Sequence, residues 1–187
     1  MNIILDMDET LLSSQYCYES ALFSAAFANE DNNKIILQTN HIHERPFLDT
    51  FFQYIFNKFE RVSIWTHGTT DWYNTCYNHI LYKFIPPGKG FYKVITRDNG
   101  ILPFEADCSK PLHKFYLLCP HHNEKNTFIV DDKPHTYKFN IENSIPIKPY
   151  YLSSYFGEKN LNDSELLRII HYLEKNLFAN YTDRKEK

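Results

Sequence analysis

Ile3-Ile4-Leu5-Asp6-Met7-Asp8-Glu9-Thr10 runs from three aliphatic side chains straight into two carboxylates and a hydroxyl. A short apolar run of this kind reads as a strand buried on both faces of a parallel sheet. Open α/β sheets collect their chemistry at the carboxyl ends of such strands. Asp6 and Asp8 therefore stand where a reactive site belongs. The pattern recurs twice. Arg61-Val62-Ser63-Ile64-Trp65 ends in Thr66, and Thr127-Phe128-Ile129-Val130 ends in Asp131-Asp132. Between these two runs lies Lys110, a cation able to balance the carboxylates, with Lys93 and Lys114 as rivals for that task.

The rest of the chain reads outward from these three strands. Residues 16–44 read as a small insertion after the first strand, an apolar arm, a turn at Asn29 to Asn33 and a second apolar arm, forming a β-hairpin or flap. Pro46 opens an amphipathic helix whose inward positions are Leu48, Phe51, Phe52, Ile55 and Phe59. Thr69-Thr70-Asp71 caps the next helix, with Trp72, Cys76, Ile80 and Phe84 facing inward. Phe91 to Ile95 reads as a strand and Pro111 to Leu118 as a short helix. Ile145-Pro146-Ile147 reads as an edge strand, because proline cannot donate to a ladder. Asn162 to Glu165 has the form of a capping box opening a last helix on Leu166, Ile169, Ile170, Leu173 and Leu177. Strands alternating with helices predict an α/β fold, a mostly parallel sheet flanked by helices. One domain over residues 1–180 is expected, followed by a charged tail at 181–187.

Composition narrows the class. The chain has 187 residues, enough for one substantial core. The net charge of -3 comes without a basic stripe, so direct nucleic-acid binding is not expected. The 17% aromatic share then reads as core packing. Cys17, Cys76, Cys108 and Cys119 lack C-x-x-C spacing and suit a reducing compartment. Cys119-Pro-His121-His122 reads as a surface loop. No apolar run reaches membrane-spanning length and no signal peptide precedes the first strand. An intracellular, soluble protein is expected, in nucleus or cytoplasm. The bias toward Asn, Lys, Ile and aromatics hints at an AT-rich genome, hence a host cell if the source is viral.

D-x-D-x-T, a Thr closing the second strand, a downstream Lys and a late D-D pair resemble the haloacid dehalogenase superfamily of aspartate-nucleophile phosphatases. The finer resemblance is to its Fcp/Scp class. It rests on Asp8-Glu9-Thr10, Arg45-Pro46, Trp65-Thr66, Arg97, Val130 to Pro134, Ile145 to Ile147 and Asn162 to Leu166. It implies a Rossmannoid fold and phosphatase chemistry. By resemblance the backbone carbonyl of Asp8 is a metal ligand. The class removes phosphate from serine in proteins, notably the C-terminal repeat domain of RNA polymerase II. The resemblance thus implies a phosphorylated protein or peptide as substrate.

The chemistry can be argued from the residues as well. Hydrolysis of a phosphate monoester needs an in-line nucleophile, neutralised charge and a proton for the leaving oxygen. Asp6 is the candidate nucleophile, passing through an aspartyl phosphate, and Asp8 the candidate acid and base. Four crowded carboxylates (Asp6, Asp8, Asp131 and Asp132) call for a divalent cation, and oxygen ligands suit Mg2+. Asp6 and Asp132 are the best direct ligands, with Asp131 acting through water or on Lys110. Thr66 and Lys110 serve the phosphoryl group. Thr10, His67 and Arg97 complete the substrate-binding set, although Thr66 also reads as a helix cap, His67 as a local polar contact and Arg97 as a solvated charge. Rival functions are a phosphatase for a small ester or a nucleic-acid 3′-phosphate, and a non-catalytic phosphoprotein-binding scaffold of the same fold.

Overall fold

The protein is described here by a computed structural model covering residues 1–15, 41–102, 107–151 and 162–179. Its centre is a five-stranded sheet of β1 (Asn2–Leu5), β4 (Arg61–Trp65), β5 (Val94–Ile95), β6 (Thr127–Asp131) and β7 (Ser144–Pro146). The order is β5-β4-β1-β6-β7 and every pairing is parallel. From β1 the chain builds outward to β4 and β5, then crosses back to β6 and β7. The reversal falls beside β1, where an open α/β sheet leaves its crevice.

Alternation along β1 sets the layers. Ile3 and Leu5 face one core cluster; Ile4 faces the other. The first cluster takes its helical cover from α1 (Leu48–Lys58), α2 (Thr70–His79) and α4 (Glu165–Leu173). Its helical members include Phe51, Phe52 and Ile55 from α1, Cys76 from α2, and Leu166, Ile169 and Leu173 from α4. The second cluster is smaller and packs Ile4, Trp65, Ile95 and Ile129 against Leu112 and Phe115 of α3 (Leu112–Leu118). Burial on both faces explains why these strands are nearly continuous in apolar residues.

Several elements begin or end away from their expected places. Phe47 stands between Pro46 and α1 in the left-handed region, φ 66°, so the helix starts at Leu48. Phe59 is its C-cap, still buried. The strand expected over Phe91 to Ile95 pairs only at Val94 and Ile95. Helix α2 stops at His79 and a 3-10 turn, Leu81–Phe84, carries the apolar stripe onward. At α4 the capping box does not form. Glu165 receives the Lys148 N–H, while Asp163 accepts the Glu165 N–H at 3.2 Å. His122, expected in a surface loop, is only 3% exposed; burial lowers its pKa to about 4 and keeps it neutral.

A second, two-stranded sheet pairs β2 (Leu12–Gln15) antiparallel with β3 (His41–Glu44). Most of the expected hairpin or flap, residues 16–40, lies outside the described residues, as does the tail from 180 onward. Among the described residues no helix is long and apolar enough to cross a membrane.

Candidate active site

The register of the sheet assembles the site. Leu5 pairs with Val130, so Asp6 and Asp131 leave adjacent strands side by side, and the Asp6 N–H donates to the Val130 carbonyl at 2.9 Å. Leu5 also pairs with Ile64, which brings Thr66 to the same end of the sheet. Asp6, Asp131 and Asp132 each offer a carboxylate oxygen, and all three oxygens lie within 4.8 Å of one another. The carboxylates from the two ends of the chain do converge.

Lys110 stands among them, 1% exposed. Its Nζ donates to Asp6 Oδ1 at 2.6 Å and to Asp131 Oδ2 at 2.7 Å. Its backbone is fixed from both sides. The Lys110 N–H donates to the Thr136 carbonyl, and the Asn140 side chain donates to the Lys110 carbonyl. Lys93 and Lys114 do not take this place. Thr10, fully buried, donates to Asp6 Oδ2 at 3.1 Å and lies 3.4 Å from Asp132 Oδ1. Both oxygens of Asp6 are thus held.

Asp8 is held separately. Thr66 Oγ1 donates to its Oδ2 at 3.1 Å, and the Trp72 indole donates to its Oδ1 at 2.7 Å. Thr66 in turn accepts the Gly68 N–H. The turn between Asp8 and Thr10 passes through Glu9 at φ 64°, a left-handed conformation that must be held from outside. Arg45 does so. Buried completely, it donates to the carbonyls of Glu9, Thr10 and Lys148, and bidentately to Asp163 at 2.8 Å for both bonds. The Glu9 carboxylate meets Lys133 at 3.4 Å and accepts from the Tyr151 hydroxyl.

Electrostatics follow from this packing. Burial raises the Asp6 carboxyl, with the ammonium of Lys110 pulling against it, and Lys110 itself is raised by its two carboxylate partners despite its own burial. Burial also raises Asp8, opposed by the bonds from Trp72 and Thr66. Asp132 is pushed up to about 6, first by burial. His67 falls to about 4 through burial and the nearby Lys110 charge, so it is neutral at pH 7 and no proton donor there. Arg97 is exposed; its backbone N–H donates to the Gly68 carbonyl, and its guanidinium has no partner among the described residues.

Clustered oxygens and a buried ammonium, with no soft ligand beside them among the described residues, make this a place for a hard divalent cation and an anionic group. The family described as NLI interacting factor-like phosphatase matches residues 1–183. The chain belongs to that family. CTD phosphatase-like protein 355R of Invertebrate iridescent virus 6 is 24% identical over 94% of this chain and 98% of its own length. CTD small phosphatase-like protein 2 of Dictyostelium discoideum is also 24% identical, over 93% of this chain, which spans only 27% of that protein. Among solved structures, Fcp1, an RNA polymerase II CTD phosphatase, superposes over 98% of this chain and 53% of its own with a TM-score of 0.56 and 18% identity. A haloacid dehalogenase superfamily hydrolase from Ehrlichia chaffeensis gives 0.55 at 12% identity, over 93% and 96% of the two chains. At such identities the structures speak for the fold, and the fold is that of the haloacid dehalogenases. The family makes the chain a phosphatase.

The site holds residues that sequence patterns alone did not single out. Trp72 reads as one more apolar position on a helix, and nothing in its spacing reveals that its indole N–H turns to Asp8. Asp163 reads only as part of a helix start, and nothing there reveals that its carboxylate also takes both bonds of Arg45. Lys133 directly follows the D-D pair, a position whose charge is the one sequence signal it carries.

Proposed function

We propose that the protein hydrolyses phosphomonoesters with Mg2+, through an aspartyl phosphate on Asp6, and that its substrate is a phosphoserine or phosphothreonine protein. The observation that carries this reading is the bridging of Asp6 and Asp131 by the buried Lys110 ammonium beside Asp132. Lys110 and Thr10 orient the Asp6 carboxylate, and a strand end gives it little freedom to miss an in-line phosphorus. Magnesium supplies neutralisation of the nucleophile and the phosphate oxygens when bound. Asp6, Asp132 and the Asp8 carbonyl are its proposed direct ligands. Asp131 accepts from Lys110 at Oδ2 and from the Lys133 N–H at Oδ1, and its proposed share is exerted through water or through Lys110.

Asp8 gives its proton to the leaving oxygen and later takes one from the attacking water. Burial favours its protonated form, as that task requires. Thr66 has one proton to donate. When it turns that proton to a phosphoryl oxygen it releases Asp8 Oδ2, the atom then free to carry the catalytic proton. Arg97 and His67 are proposed contacts at the rim, His67 as a neutral partner. The CTD phosphatase names of the relatives support a phosphoprotein substrate, and the viral relative supports an intracellular setting in a host. A chain of net charge -3 gives nucleic acid no electrostatic welcome.

The test is a substrate panel with magnesium present. Phosphoserine and phosphothreonine peptides are expected to be hydrolysed faster than mononucleotides or sugar phosphates. Faster turnover of the small esters or of a 3′-phosphorylated oligonucleotide would reverse the substrate assignment.

A further inference from the structure

Two donors hold Asp8, and they are not equivalent. Thr66 is a hydroxyl that can turn away. The Trp72 indole is a donor only, fixed in its ring plane and unable to titrate. It sits in the first turn of α2, where Thr69 Oγ1 accepts the Trp72 backbone N–H at 3.2 Å, and its partly buried ring packs on the larger core cluster. The ring's approach is close: a Cβ at position 68 would stand 2.6 Å from Trp72 Cδ1, so Gly68 leaves the room the indole occupies. The result is a 2.7 Å bond to Asp8 Oδ1 from a group locked by a helix, a core and a glycine.

We infer that Trp72 is a positioning residue for the acid and base Asp8: it pins Oδ1, so that Oδ2 alone faces the leaving group and carries the proton. This rests on the phosphatase reading above. The balance of the step is simple. As the phosphorus–oxygen bond to the leaving serine breaks and the bond to Asp6 forms, the Oδ2 proton passes to the serine oxygen. In the second half Oδ2 takes the proton of the water that attacks the phosphorus of the aspartyl phosphate, releasing phosphate and restoring both carboxyl groups. A carboxyl free to rotate would divide its time between the two oxygens and other directions.

A misplaced acid matters most when the leaving group is poor. Serine leaves as an alkoxide unless protonated, whereas p-nitrophenolate leaves readily by itself. For Trp72→Phe, which keeps an aromatic side chain but loses the N–H and the pyrrole half of the indole, kcat/KM on a phosphoserine peptide, which reports only the transfer to Asp6, should fall about 10- to 100-fold. On p-nitrophenyl phosphate kcat/KM should fall less than about 3-fold, because that leaving group needs no acid. Gly68→Ala, whose methyl would push the ring aside and stand 3.3 Å from Thr66 Oγ1, should lower both rates and the phosphoserine rate the more, and it stands in should Trp72→Phe fail to fold. Phe59→Leu, which loosens the core against Phe178 at the other end of the sheet, should lower the melting temperature and leave the ratio of the two rates unchanged. Equal losses on the two substrates, or none, would overturn the positioning role. A wild-type protein inactive on both would instead bring down the phosphatase reading.

Discussion

Lys110 is the residue on which the charge balance turns. Its ammonium is buried between two carboxylates, each close enough for a charge-assisted hydrogen bond. A buried pair stripped of one member is strongly destabilising, because the remaining charge has neither water nor partner. We predict that Lys110→Met lowers stability at neutral pH by about 3 to 5 kcal/mol and removes activity. Denaturant titration with and without magnesium measures the first effect; a stability unchanged in both would mean the ammonium is not the counter-charge. At this scale the sequence was legible where a residue type and a strand end coincide. Asp6, Asp8, Asp131 and Asp132 all announced themselves in that way. Lys110 was favoured over Lys93 and Lys114 by sequence but not set firmly apart from them, because the grip of Thr136 and Asn140 on its backbone is not written in its spacing. Trp72 was hidden because a tryptophan on a helix stripe and a tryptophan donating to a carboxylate are spelled alike.

Among the elements, the turn after β1 depends on a staple it does not contain. Arg45 follows β3, Asp163 precedes α4, and their bidentate pair fastens both to the carbonyls of Glu9 and Thr10. Tyr150 adds to the fastening: its N–H donates to the Glu9 carbonyl, and its ring lies 5.4 Å from the Arg45 guanidinium carbon. Asp163→Asn should destabilise the fold by roughly 3 kcal/mol, a fall of roughly 10 °C in melting temperature for a chain of this size. Thermal melting checks it, and a shift under about 2 °C would show the pair to be dispensable. Helix periodicity placed α1, α2 and α4 well, because each buries one stripe against the sheet. The boundaries were less legible for local reasons. Phe47 takes a left-handed conformation that no aromatic residue advertises. The strand expected from Phe91 shortens to two residues because only Val94 and Ile95 pair with β4.

On the scale of the whole molecule, the order β5-β4-β1-β6-β7 brings residues more than a hundred positions apart into one crevice. The alternation of strands and helices made a parallel sheet legible, since parallel neighbours require crossovers. The strand order itself was not readable from any one segment; it is fixed by which strands pair. The central claim is that this crevice is a magnesium-dependent phosphatase site with Asp6 as its nucleophile. Initial rates of phosphate release from an aryl phosphate, with magnesium and with excess chelator, for the native chain and for Asp6→Asn, test it most directly. Turnover is expected only from the native chain with magnesium, with Asp6→Asn folded and at least about 1,000-fold slower. Equal rates with and without the chelator, or full activity in Asp6→Asn, would contradict it.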